Sequence, residues 1–173
     1  MKIRILPLFL IILFFIIIFF IFFKGLKNSN MYTPKTDIDL NVPKFEAKLF
    51  DSKDVIKSDK LFSSNRFYLM NIWASWCAPC REEHKFLISL SEKKNLEIIG
   101  LNYKDKVQNA KNFLNELKNP YKLIIMDIDG TISIEWGAIG VPETYLIYNK
   151  KVIKKVIGPL NKKILTEINE IIE

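Results

Sequence analysis

Two cysteines, Cys77 and Cys80, are all the chain has, and two residues separate them in Trp73-Ala74-Ser75-Trp76-Cys77-Ala78-Pro79-Cys80. Cysteines at this spacing can cycle between dithiol and disulfide, and the thiolate is the form that attacks another disulfide. A helix N-terminus favours that thiolate, because its free N–H groups carry partial positive charge. The surroundings supply one: an apolar run from Phe67 to Trp73 leads in, and a helical segment begins near Ala78. Cys77 is assigned as the attacking thiolate at the exposed start of the helix. Cys80, one turn inside, resolves the mixed disulfide. Pro79 suits the first helical turn, where no intrahelical N–H bond is lost. A purely structural disulfide is the weaker reading, since so short a loop removes little entropy from the unfolded chain.

Glu83 follows Cys80 by three residues and so shares its helix face. A carboxylate there could take or return a proton as Cys80 becomes a thiolate; a solvated first-turn acid is the competing reading. Glu143 is a weaker candidate for the same task. His84, the single histidine, is expected to face solvent near the site. Haem attachment would need a histidine directly after the second cysteine, and Arg81 stands there. A zinc site from Cys77, Cys80 and His84 lacks a fourth Cys or His. No cofactor is expected. Asp127-Ile128-Asp129-Gly130-Thr131 matches the aspartyl-nucleophile motif of haloacid-dehalogenase-type phosphatases, but the residues that follow supply no paired-aspartate metal site. The segment reads better as a strand ending in an Asp-Gly turn.

The elements that must position these groups follow from periodicity. Residues 45–50 alternate as a strand; Lys53 to Asn65 is polar, with a short strand or turn. Phe67 to Trp73 is nearly all apolar, as in a strand buried on both faces. Ala78 to Lys94 predicts a helix, Leu96 to Leu101 a strand, Val107 to Leu117 a helix, and Leu123 to Met126 a strand. A short helix at Ile132 to Trp136 precedes a hairpin, Thr144 to Tyr148 with Val152 to Ile157. An amphipathic helix spans Asn161 to Ile172. The βαβαβ order implies a parallel sheet with crossover helices, and the hairpin implies an antiparallel edge. This is an α/β, thioredoxin-like architecture with a central, helix-containing insertion.

Before it, Ile5 to Phe23 contains no charged side chain and one proline, Pro7. A helix of that length approaches the ~30 Å of a bilayer core and exceeds the usual apolar core of a cleaved signal. One N-terminal transmembrane helix is expected within an anchor at residues 1–27. A tether at 28–43 and a thioredoxin-like domain at 44–173 follow. Flanking charges favour a cytoplasmic N-terminus only slightly; the redox motif adds an argument for a periplasmic C-terminal domain. The net charge is +7. Four of the 26 basic and none of the 19 acidic side chains lie in residues 1–27, so the remainder carries +3 (26 − 4 − 19). That balance gives nucleic-acid binding no support.

The segment Trp73 to His84, with Gly100-Leu101-Asn102-Tyr103-Lys104-Asp105, Asp127-Ile128-Asp129-Gly130 and Gly140-Val141-Pro142-Glu143-Thr144, resembles the membrane-tethered DsbE/CcmG-type thiol–disulfide reductases of cytochrome c maturation. Lys85 and Val141 depart from residues common in that family, proline and alanine. The resemblance implies that Pro142 follows a cis peptide bond and packs against the cysteines, leaving backbone groups free for a substrate peptide. Trp76, Pro79, Glu83, Val141 and Pro142 thus support Cys77 and Cys80. It also places Asn71 where thioredoxin has a buried aspartate, leaving Glu83 as the nearest group able to titrate. The implied role is reduction of apocytochrome c cysteines, directly or through a maturation thiol protein. Electrons would come from a membrane thiol-electron transporter, and the inner membrane would be held through residues 5–23. Alternatives are a reductase of broader clientele, a disulfide-forming oxidant, and an assembly scaffold.

Overall fold

The computed structural model describes residues 5–27, 40–62 and 65–173. The chain divides into two units, Met1–Pro34 and Lys35–Glu173. The first contains helix α1 (Ile5–Lys27), whose side chains are described at position 7 and from 9 to 24. Among the described residues no helix is long and apolar enough to cross a membrane. Most of the expected tether lies outside the described residues. Its last part holds strand β1 (Leu40–Asn41), which belongs to the sheet of the second unit.

In the second unit β2 (Glu46–Leu49), β3 (Val55–Lys57) and α2 (Ser58–Leu61) precede the core. The core continues with β4 (Phe67–Trp73), α3 (Ala78–Ser91), β5 (Leu96–Tyr103), α4 (Val107–Leu117), β6 (Leu123–Asp127) and α5 (Thr131–Glu135). The hairpin β7 (Glu143–Tyr148) and β8 (Lys151–Ile157), then α6 (Lys162–Ile172), complete it. One eight-stranded sheet has the order β1-β8-β7-β4-β5-β6-β2-β3. Strands β4, β5 and β6 run parallel, and β7 pairs antiparallel with β4. This is the thioredoxin-like α/β fold, with α4, β6 and α5 lying between β5 and the hairpin.

Strand alternation sorts the core into two layers. Leu69 and Trp73 point to the side of α3, α4 and α6, with Leu87, Leu90, Phe113 and Ile168. Tyr68, Met70 and Ile72 point to the other side, against Phe62, Ile132 and Trp136. Burial on both faces is why β4 reads as an unbroken apolar run.

The helix ends have local causes. Asn161 accepts a hydrogen bond from the Ile164 amide at 3.0 Å and starts α6. Asp127 accepts from the Ile132 and Ser133 amides and so starts α5, after a left-handed Gly130. The phosphatase-like aspartate therefore serves as an anchor for a helix start.

Candidate active site

The parallel strands end together, and the candidate residues gather where they stop. Strand β4 delivers the Ala74-Ser75-Trp76 turn, and α3 begins after Cys77, its N-cap. Asp105, just past β5, holds that turn: it accepts from the Ser75 amide at 2.6 Å and the Ser75 hydroxyl at 2.8 Å. Asn102 Nδ2 donates to the same carboxylate at 3.1 Å. Trp76 is 58% exposed, and its indole N–H donates to the Lys104 carbonyl at 3.1 Å.

Cys77 and Cys80 form a disulfide with Cα atoms 5.3 Å apart. Cys77 Sγ accepts the Cys80 amide N–H at 3.1 Å. That donor and the start of α3 offer a negative sulfur at Cys77 both a hydrogen bond and a favourable dipole. Pro79 occupies the first turn. Contrary to the expected exposure, Cys77 is only 4% accessible, because it packs into the apolar cluster that Val141 also borders. The Val141–Pro142 bond is cis, and β7 begins directly after it.

Glu83 is wholly buried one turn beyond Cys80. Its carboxylate accepts from Asn71 Nδ2 at 2.9 Å and from the Leu160 amide at 2.8 Å. Asn71 also donates to Thr144 Oγ1 at 3.0 Å and accepts the Tyr121 hydroxyl at 2.9 Å. Burial raises the Glu83 carboxyl to about 7; the two hydrogen bonds oppose the rise without cancelling it. The Tyr121 hydroxyl is pushed well up by burial, then by the neighbouring Glu83 charge. A solvated first-turn acid is thereby excluded for Glu83.

His84 does not face solvent: it is 3% exposed. It sits on the buried side of α3, edge-on to Phe113 with centroids 5.1 Å apart. Its Nε2–H donates to the Lys118 carbonyl at 2.8 Å. Burial holds its pKa below the usual imidazole value; the Lys118 bond opposes this, and Arg81 adds to it. His84 lies four residues after Cys80 and three before Leu87, so helical spacing already put it on the buried face, and the expectation of exposure followed its polar side chain instead. Glu143 lies wholly buried in β7 and is paired with Lys155 at 3.0 Å. Sequence reasoning missed Asp105, Tyr121, Thr144 and Lys155 as parts of this site. Asp105 and Thr144 had been singled out only within the segments 100–105 and 140–144, without a role for either.

The Redoxin family pattern matches residues 40–171. The chain is 40% identical over 124 residues to the thiol:disulfide interchange protein DsbE of Tatumella citrea, a match covering 71% of this chain and 66% of that protein. It is 37% identical over 127 residues to DsbE of Escherichia coli K12, covering 73% and 68% of the two chains. The chain thus spans about two thirds of the length of these relatives. A thiol:disulfide interchange protein of the thioredoxin family from Chlorobium tepidum superposes with a TM-score of 0.63 at 21% identity, over 78% of this chain and 97% of that one. That likeness is one of fold. Together with the cysteine pair at the start of α3, the matches show that this chain belongs to the redoxin family, among the DsbE-type thiol:disulfide interchange proteins.

Proposed function

We propose that the protein is a thiol:disulfide oxidoreductase that reduces cysteines during cytochrome c maturation. In the reduced form the Cys77 thiolate attacks one sulfur of a partner disulfide. A mixed disulfide forms and the partner's other sulfur leaves as a thiolate, which takes up a proton. Cys80, as a thiolate, then attacks Cys77 Sγ. The partner is released as a dithiol, and Cys77–Cys80 carries away the two-electron oxidation. Glu83 accepts the Cys80 proton in this scheme. The observation that carries the reading is the Cys77 sulfur, placed as the N-cap of α3 with the Cys80 amide donating to it.

The partner is apocytochrome c or a maturation thiol protein, and reducing equivalents arrive from a membrane thiol-electron transporter. Residues 5–23 anchor the chain in the inner membrane, with the domain of residues 44–173 on the periplasmic side after a tether at 28–43. The uncharged run in α1 supports this, with mostly exposed Phe and Ile side chains from Phe9 to Phe23.

The test is the reduction potential of the protein equilibrated against thiol buffers. A value below about −200 mV, towards the ~−270 mV of thioredoxin, fits a reductant. A value near ~−120 mV would make it a disulfide donor instead. Replacing both cysteines by serine separates a scaffold from a reductase. The scaffold would still support cytochrome assembly, whereas the reductase would fail and be rescued by added thiol.

A further inference from the structure

Lys155 in β8 and Glu143 in β7 form a charge pair with side chains only 6% and 1% exposed, 3.0 Å apart. Burying such a pair costs about as much as its attraction returns, unless the remaining donors and acceptors are also satisfied. Here they are. Lys155 Nζ donates to the Gly137 carbonyl at 2.8 Å. Glu143 Oε1 accepts the Ile139 amide at 2.7 Å, and Oε2 accepts the Tyr145 hydroxyl at 2.8 Å. Two of these bonds end on the backbone of one short segment, the loop from α5 to β7. One grips it at Gly137 and the other at Ile139. That loop runs directly into Val141–Pro142, and Val141 packs against the apolar cluster that holds both cysteines. An apolar pair of similar volume would fill the space with comparable stability, so what distinguishes the ionic pair is the backbone it holds. Glu143 thus turns its carboxylate to Lys155, Ile139 and Tyr145.

We propose that the Lys155–Glu143 pair is a positioning device. It fixes the loop of residues 137–142, and through it the way a partner polypeptide is received at Val141–Pro142. This rests on the disulfide-exchange reading above. Lys155 is a positioning residue, not a catalytic one.

The test uses the reduced full-length chain in detergent with two oxidised probes. One is dithiobis(nitrobenzoate); the other is a synthetic peptide closed by a single Cys-x-x-Cys disulfide. The variants are Lys155→Arg and the double change Glu143→Leu with Lys155→Met, which leaves no lone buried charge. In the double variant the half-saturating peptide concentration should rise about tenfold, well beyond any change in the small-disulfide rate. Lys155→Arg should fall between it and the parent. Amide exchange at Ile139 should also quicken in the double variant. Equal losses on both probes, or an unchanged peptide reaction, would overturn the proposal. Should the double variant fail to fold, an unchanged peptide-to-small-disulfide ratio in Lys155→Arg would overturn it as well. Failure of the parent protein to reduce either probe would instead sink the exchange reading.

Discussion

At Glu83, two hydrogen-bond donors and a dry setting pull in opposite directions, and burial wins. Its folded pKa, about 7, stands above the ordinary 4.5. A carboxyl raised in this way does not oppose folding below pH 4.5. It destabilises progressively as pH climbs towards 7, by up to about 3 kcal/mol once ionised. Denaturant unfolding from pH 5 to 8 should therefore show stability falling as pH rises, and Glu83→Gln should flatten that slope. An unchanged slope in the variant would remove Glu83 as its source. The cysteines divide by role. Cys80→Ser should trap partners as mixed disulfides visible on non-reducing gels, while Cys77→Ser should trap none. The i, i+3 spacing of Cys80 and Glu83 was legible in the sequence. The burial that sets the carboxyl's pKa was not, because it depends on Tyr121 and Leu160, far along the chain.

Among the elements, β5 shows how tightly the site's floor is packed. A Cβ at Gly100 would lie 2.8 Å from Trp73 Nε1 and 3.0 Å from the Tyr121 ring. Those rings stack on each other with centroids 5.3 Å apart, and Tyr121 also bonds Asn71. Gly100→Ala should cost roughly 1–3 kcal/mol by overpacking, measurable as a lower denaturant midpoint. It should also shift the pH profile attributed to Glu83, since Tyr121 would move. A midpoint equal to the parent's would mean that the rings yield freely. The central strands and main helices were legible because each has a period or an apolar run of its own. In the polar stretch at Lys53 to Asn65, read as a short strand or turn, β3 answers to the strand, while α2 went unread because an element of four residues is too short to show a period. Lys155 stayed hidden for a different reason. A register irregularity between Leu146 and Ile147 breaks the alternation of the hairpin, so strict in-out counting along β8 misassigns its faces.

At the scale of the molecule, the βαβαβ order and the following hairpin were enough to imply the thioredoxin-like sheet, since crossover rules leave few alternatives. The outer strands were less legible: β1 has two residues, and the sequence assigns them to a tether. Yet β1 pairs with β8 through Leu40 with Val152 and Asn41 with Lys151. The Val42 amide continues the contact to the Lys150 carbonyl at 3.1 Å. An unpaired sheet margin is a template for joining a second molecule, and this short piece of chain occupies part of one. Covering that margin should limit self-association. A soluble fragment starting at Lys35 should sediment as a monomer. One starting at Lys44 should tend to associate through the bared flank of β8, with the thiol chemistry of Cys77 and Cys80 intact. Identical sedimentation of the two fragments would show that the lysines along β8 suffice to keep copies apart. How the domain is tied to the rest of the chain would then bear on its reach and not on its solubility.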